Sequence, residues 1–180
     1  MRLAARYGAS PSASGEPPLA RPGDVVRWMF AMQARGFPGA KCSVGAHLPE
    51  TTDAAVEAAL HSRELVRSWP MRGTLHLIAG EDLGWILAFT APRLIRGMTT
   101  RRARLGIAER DLDAVGDLAR DALSGGRTLE RGELLAVFEA AGRPTSRDRG
   151  YHLLMYLPLT AVIVFGPIAG RQHSFALLDE

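Results

Sequence analysis

Residues 66–78 restrict the fold of this chain more than any other segment. Their sequence, VRSWPMRGTLHLI, interleaves apolar residues with cations, hydroxyl groups and an imidazole. Alternation with a period of two is typical of a β-strand that has one face on a core and the other in solvent. We therefore predict a tight β-hairpin near residues 65–79, with an outer face that a phosphate backbone or a groove could contact.

Two helices are predicted before this hairpin. The first follows Pro22 and Asp24, which suit a helix start, and is expected to end near residues 36–39. Its apolar positions at helical spacing are Val25, Trp28, Met29 and Met32. The second is expected at residues 53–63, and a shorter helical stretch is possible around residues 40–47. The order helix, helix, hairpin is typical of a winged helix-turn-helix domain.

A helical region follows the hairpin. Apolar residues recur at helical spacing from residue 81 onward, and Pro92 is expected to kink or restart this helix. A further helix is expected at residues 109–124, and the glycine pair that follows should end it.

The helix–helix–hairpin order then recurs. Residues 129–141 have a helical pattern, and Ser146 is a suitable N-cap for a helix that continues to about residue 157. Two β-rich runs, at residues 161–165 and 172–178, predict a second hairpin within residues 161–178.

The predicted fold class is mainly α with small β-hairpins, arranged as two tandem winged helix-turn-helix domains. Residues 1–20, which contain a stretch rich in Ser, Pro and Gly, are expected to be a flexible N-terminal segment. The first winged-helix domain is expected at residues 21–80 and the second at residues 109–180. Helices within residues 81–108 should link the two.

Composition excludes several classes of protein. A chain of 180 residues with 47% apolar residues can build one or two cores, so global disorder is not expected. Cys42 is the single cysteine, which excludes an internal disulfide and a cysteine-based metal cluster. No apolar run approaches the roughly 18 residues of a membrane span, and no signal peptide is recognised, so a cytoplasmic location away from the membrane is expected.

The basic residues are almost all arginines. The formal net charge is only +3, and Lys41 is the only lysine among 22 basic residues. This bias has two equally good explanations. One is codon usage in a GC-rich genome, and the other is a role for arginine in binding phosphate. Four candidates for DNA contact lie between residues 93 and 104, namely Arg93, Arg96, Arg101 and Arg102. The alternative is a solvated face that the acidic helix after it balances.

The hairpin supplies further candidates. Arg67 and Arg72 near its turn are expected to contact phosphate, and alternation places Thr74 and His76 on one face. His76 either contacts DNA or a flipped nucleotide, or is a half-buried histidine of the core. The five histidines are scattered, and no phosphate loop, Rossmann fingerprint or nucleophile elbow is present. Neither a metal nor a cofactor is predicted.

Two segments carry a resemblance to a known family. Residues 24–47 and the hairpin sequence RSWPMRGTLHL at residues 67–77 resemble the winged-helix DNA-binding domain proteins, which include bacterial DNA glycosylases acting on alkylated bases and interstrand crosslinks. The resemblance implies tandem winged helices that form a concave, basic surface for double-stranded DNA. It also implies a third winged helix and a β-rich domain in full-length members, so we expect this chain to be a fragment or a short paralogue.

The resemblance also implies candidate catalytic residues. The glycosylases of the family carry Gln-x-Gln or Gln-x-Asp in the first domain, and Gln33-Ala34-Arg35 occupies that place here. Gln33 matches the first position, where an amide oxygen can orient water and stabilise the positive charge that builds on the sugar. Arg35 departs from the Gln or Asp of the second position. This departure opposes catalysis, because a guanidinium accepts no hydrogen bond and repels a developing cation.

The expected function is therefore DNA binding by a glycosylase-like protein, with catalysis left open by Arg35. The alternatives are a non-enzymatic, transcription-factor-like DNA-binding protein and a truncated paralogue whose apolar faces need a partner.

Overall fold

The computed structural model describes residues 19–71, 73–169 and 172–180. Arg72 and most of the predicted flexible segment at residues 1–20 lie outside the described residues. Within the described ranges, no helix is both long and apolar enough to cross a bilayer.

The N-terminal part of the chain contains three short helices, a brief strand, a hairpin and one long helix. They are α1 (Pro22–Trp28), β1 (Met32–Gln33), α2 (Phe37–His47), α3 (Asp53–His61), β2 (Leu65–Met71), β3 (Thr74–Ala79) and α4 (Leu83–Arg104). A single 3₁₀ turn, Gly80–Asp82, connects β3 to α4. The hairpin predicted at residues 65–79 is therefore confirmed.

The C-terminal part repeats much of this order. Its elements are α5 (Glu109–Leu123), β4 (Leu129–Glu130), α6 (Arg131–Ala140), α7 (Arg149–Leu159), β5 (Ile163–Ala169) and β6 (Gln172–Leu177). Strands β5 and β6 form the second predicted hairpin. The helix α7 begins at Arg149 after Asp148, so Ser146 is not its N-cap as the sequence suggested.

Both hairpins belong to one antiparallel sheet. Its six strands have the order β1-β3-β2-β5-β6-β4, and the β2–β5 pair, with Arg67 opposite Phe165, joins the two hairpins. The fold is thus a mixed α+β arrangement in which a continuous sheet connects the two parts of the chain. The register shifts after Ser68 in one hairpin and after Phe165 in the other, which indicates a bulge toward each turn.

Three apolar clusters surround the sheet. One lies among α1, α2, α3 and the first hairpin, and a second lies among α5, α6, α7 and the second hairpin. The third places α4 against the sheet through Ile86 and Leu87, which pack with Val66, Ile78 and Val164. The helix α4 is therefore a packed layer of the core, whereas residues 81–108 were expected to link two domains.

The first helix is shorter than predicted. It ends at Trp28, and Phe30 then adopts a left-handed backbone conformation with φ of 67°, which a continuing helix does not allow. The chain leaves the helix as strand β1, where Met32 pairs with Leu77 of β3. Cross-strand pairing thus overrides the helical spacing that extended the prediction to residues 36–39, a segment in which α2 begins instead.

Pro92 neither restarts nor ends a helix. It lies inside α4, which continues for twelve residues beyond it to Arg104. Buried residues on the preceding turns, Leu87 and Ala91, hold the helix on the sheet. This packing offsets the backbone hydrogen bond that the proline cannot donate.

Candidate functional site

An extended segment places Gln33 and Arg35 on the same side of the chain. Both residues are exposed, whereas Ala34 between them is fully buried. The Ala34 backbone N–H donates to the Leu75 carbonyl oxygen at 2.7 Å, so the pairing with β3 continues past the end of β1. Because side chains alternate along a strand, Ala34 points into the core and its two neighbours point outward together.

Strand pairing brings two further polar residues beside Gln33. His76 of β3 is the cross-strand partner of Gln33 on one side and of Ser68 of β2 on the other. Directly opposed residues share a face of the sheet, so the three side chains form one row across three strands. The structure thus brings together two of the predicted site residues, Gln33 and His76.

His76 is held by its own strand. The ring Nδ1 lies 2.8 Å from the Thr74 carbonyl oxygen, which can only accept a hydrogen bond. Nδ1 therefore carries a proton, and in the neutral ring Nε2 is the acceptor. His76 is half-buried.

A cavity of about 680 Å³ opens beside this face, between the two parts of the chain. Arg35, Trp69 and Thr74 line it from the N-terminal part. Arg131, Tyr151 and Phe175 line it from the C-terminal part. Two of the predicted site residues, Arg35 and Thr74, thus face a space of the size of small-ligand sites, which range over roughly 300–1,000 Å³.

A second cavity, of about 430 Å³, lies next to the first. Trp69, Gly73 and Tyr151 line both cavities, and α4 contributes Arg93 to the second. The structure therefore places Arg93 close to the tip of the first hairpin, a proximity that residues 20 positions apart in the sequence do not reveal.

The prediction that Arg67 contacts phosphate is wrong, because this side chain does not reach the surface. Its side chain is fully buried, with the guanidinium 4.9 Å from the Phe37 ring centre and 5.4 Å from that of Phe165. The guanidinium Nη2 donates to the Ala34 carbonyl oxygen at 2.9 Å. Burial lowers the pKa of Arg67 to about 10, so the group remains protonated at neutral pH.

The arginines in the second half of α4 differ in exposure. Arg93 and Arg96 are exposed, and Arg101, also exposed, forms an ion pair with Asp148. Arg102 is 4% exposed, donates to the Ile95 carbonyl oxygen and lies 5.5 Å from the Tyr156 ring centre. The prediction that Arg102 contacts DNA is therefore wrong, because its guanidinium is enclosed by the packing of α4 against α7.

The sequence did not single out Arg131 or Tyr151 as site residues. Arg131 is the first residue of α6, and Tyr151 lies in the first turn of α7. Neither belongs to a local motif, and their place beside Trp69 depends on the pairing between the two hairpins. Among the side chains that the structure describes, no group of three or more His, Cys, Asp or Glu residues could hold a metal ion.

The family model described as DNA glycosylase AlkZ-like matches residues 26–180. The chain belongs to this family. The resemblance of residues 24–47 and of the hairpin to a family of DNA glycosylases is therefore confirmed. A comparison with functionally curated proteins yields no match.

The AlkZ-like fold is also seen in a solved structure, that of Streptomyces sahachiroi DNA glycosylase AlkZ. The two chains have a TM-score of 0.74 and 24% sequence identity. The match covers 88% of this chain and 44% of the glycosylase chain, so this chain spans less than half the length of that protein. The comparison shows that the two share a fold over the matched region.

Proposed function

We propose that this chain binds double-stranded DNA with the face that carries Gln33, Thr74 and His76. One observation carries the proposal. In a chain of a DNA glycosylase family, Gln33, which the sequence resemblance assigns to the catalytic motif, lies exposed two residues before Arg35, and Arg35 lines a cavity to which both parts of the chain contribute. The name of the structural relative adds support, since that protein is a DNA glycosylase. Action on chromosomal DNA agrees with the predicted cytoplasmic location.

The proposed architecture is that of two winged-helix units that share a sheet. Residues 21–80 would form the first unit and residues 109–180 the second, and each contains helices followed by a hairpin. The α4 segment within residues 81–108 would contribute DNA contacts through Arg93, Arg96 and Arg101. Arg93 and Arg96 are exposed and have no ion-pair partner among the described residues, which favours contact with phosphate.

We further propose that base excision is slow or absent. Cleavage of an N-glycosidic bond builds positive charge on the sugar, and the Gln33 amide oxygen is suited to orient water toward it. Arg35 projects from the same side of the strand, so its positive charge faces the same region. A guanidinium there opposes the developing cation through charge repulsion.

The second candidate is a DNA-binding protein without catalytic activity, similar in use to a transcription factor. Arg35 favours this alternative, because it replaces a hydrogen-bond acceptor by a cation at the second motif position. An alkylated base leaves with little acid catalysis, so Gln33 alone could support slow release.

Two measurements on the full chain test these functions. Fluorescence anisotropy of a labelled duplex, titrated with protein at several salt concentrations, should give sequence-tolerant binding that weakens as salt rises. Absence of binding at low salt would contradict the proposed function. Release of N7-methylguanine from an alkylated duplex then separates the two candidates, since measurable release that Gln33→Ala abolishes identifies a glycosylase.

A further inference from the structure

The first half of α4 is apolar on its outer face as well as on its inner face. Residues 83–92 contain no charged residue. Ile86 and Leu87 pack against the sheet, whereas Trp85 is 53% exposed and Phe89 is 84% exposed. A surface helix normally carries polar residues on its outer face, and a helix that is apolar all round is normally buried. We therefore expect this outer face to be covered in the assembled protein.

Phe30 extends the apolar surface beyond α4. Its ring centre lies 5.6 Å from that of Trp85, and its side chain is 44% exposed. Its backbone has the φ of 67° that bulky residues rarely adopt, and such conformations concentrate at functional surfaces. Ala88 and Pro92 are exposed on the same side of α4. The aromatic patch is the name used below for Phe30, Trp85, Ala88, Phe89 and Pro92.

The aromatic patch is large enough for the core of a protein interface. Full burial of an aromatic side chain removes about 150–250 Å² from water, so the exposed parts of Phe30, Trp85 and Phe89 amount to roughly 270–450 Å². A stable interface buries about 800 Å² on each partner. The patch thus supplies between about a third and a half of one side, and the charged residues around it must suit the same partner.

Those charged residues make α4 complementary to a second copy of itself. Asp82 precedes Phe89 by seven residues, and Arg96 follows it by seven. Asp82 is the N-cap of α4 and already has helical backbone angles. Seven residues are nearly two helical turns, or about 10.5 Å along the axis, so the three side chains lie along one line. Within the described part of the chain, neither Asp82 nor Arg96 forms an ion pair.

We propose that the aromatic patch is the interface of a homodimer. Two α4 helices pack antiparallel across a two-fold axis at Phe89, the symmetry that most homo-oligomers adopt. This arrangement buries the aromatic side chains of both copies in the centre. It also places Asp82 of each copy opposite Arg96 of the other, on both sides of the axis. The inference is independent of the proposed DNA-binding function.

Duplex DNA is a less suitable occupant of the aromatic patch. Phosphate contacts require cations, whereas residues 83–92 offer none and the acidic Glu81 and Asp82 precede them. Arg93 lines the second cavity and remains available to DNA in the dimer. Arg96 can bind either Asp82 of the second copy or a phosphate, but not both at once.

Sedimentation velocity of the full chain over a range of concentrations tests the inference. We expect the mass to rise from that of the 19.5 kDa monomer toward twice this value. Ala88→Glu should weaken dimerisation by more than about tenfold, because it buries a charge in each copy without a partner. Ala58→Glu is the matched control, since Ala58 is an exposed alanine of α3, and it should dimerise like the native chain. Circular dichroism checks that both variants are folded.

A charge exchange tests the antiparallel arrangement. Asp82→Arg and Arg96→Asp should each weaken dimerisation, because each places like charges opposite one another across the interface. The double variant returns opposite charges to these positions and should restore dimerisation to near the native strength. Association that depends only on apolar contact would not recover in this way.

Four outcomes contradict the inference. A chain that stays monomeric at the highest concentration that remains soluble has no such interface. A dimer that Ala88→Glu leaves intact is held together elsewhere. A dimer that Ala88→Glu disrupts but the double charge exchange does not restore excludes the antiparallel pairing. A monomeric native chain whose duplex binding, measured by anisotropy, weakens with Ala88→Glu but not with Ala58→Glu has DNA as the occupant of the patch.

Discussion

The guanidinium of Arg67 donates a hydrogen bond to the carbonyl oxygen of Ala34 at 2.9 Å. Arg67 lies in the centre of β2, and Ala34 is the residue between Gln33 and Arg35. A buried cation thus fixes the backbone that presents the two candidate catalytic side chains.

Arg67→Met should therefore destabilise the protein. The substitution removes a hydrogen bond from a charged donor to a buried carbonyl, and loss of such a partner costs about 1–3 kcal/mol. Urea unfolding, followed by circular dichroism, measures the change in the free energy of unfolding. Arg120→Met on the surface of α5 is the control and should change this free energy by less than about 0.5 kcal/mol. Equal stability of both variants would mean that the Arg67–Ala34 bond contributes little.

Arg35→Gln should increase base release from alkylated duplex. The substitution removes a positive charge near the reacting sugar and restores an amide acceptor. A unit charge near a reacting centre can change a barrier by a few kcal/mol, or the rate by on the order of a hundredfold. Single-turnover release of N7-methylguanine measures the rate, and the double variant with Gln33→Ala should lose the gain. A rate for Arg35→Gln no higher than that of the native chain would refute charge repulsion as the obstacle.

The salt dependence of DNA binding should weaken when Arg93 and Arg96 are both replaced by alanine. Each phosphate contact contributes about 0.9 to the slope of log affinity against log salt concentration, so the double alanine variant should reduce the slope by about two units. Arg102→Ala is not a suitable comparison, because Arg102 is buried. Arg120→Ala serves instead and should keep the native slope. An unchanged slope in the double variant would show that α4 lies away from the DNA backbone.

Acid should weaken the fold partly through Asp111. Its carboxylate accepts hydrogen bonds from the Ala108 backbone N–H and from Arg143, and these partners hold its pKa below the ordinary value of 3.8. A carboxyl group with a lowered pKa in the folded state stabilises the fold above its unfolded pKa and loses that contribution as the pH falls through the folded pKa. Asp111→Asn should therefore be less stable than the native chain at pH 7, with a gap that narrows below pH 3.8. A gap that stays constant between pH 7 and pH 3 would contradict this origin.

Two glycine substitutions should act in opposite directions. At Gly80, an added Cβ would lie 2.0 Å from the Arg63 carbonyl oxygen, so Gly80→Ala must displace backbone at the end of the first hairpin and should destabilise the fold. At Gly45, inside α2, an added Cβ meets nothing within 4 Å, and Gly45→Ala should stabilise the fold by roughly 0.5–1 kcal/mol through helix propensity. Thermal unfolding of the two variants beside the native chain compares them directly.

Local pattern predicted the hairpins well, because alternation in residues 65–79 reflects contacts within one ribbon. It failed for the first helix, where the spacing of Met29 and Met32 suited a helix but pairing of Met32 with Leu77 forms a strand. That pairing joins residues 45 positions apart, so the spacing of neighbouring residues cannot predict it.

The site was harder to predict than the fold. Arg67 shares a strand face with Leu65, a period-two relationship that could have identified it as inward-facing. Arg131 and Tyr151 left no comparable signal, because only the pairing of β2 with β5 brings them to the cavity. Gln33 and Arg35 were identified as candidates from the resemblance. The structure shows in addition that both side chains lie on the same side of the strand.

The pairing of β2 with β5 also determines how this protein can fold. Neither hairpin closes the sheet alone, and a piece of the chain ending before α5 would expose the edge of β2 to pairing with other molecules. The contact between Arg67 and Phe165 spans about a hundred residues, so the sheet is completed only after most of the chain has been ordered. The two parts are therefore expected to unfold together, in one cooperative transition, even though their sequences have the order of two separate domains.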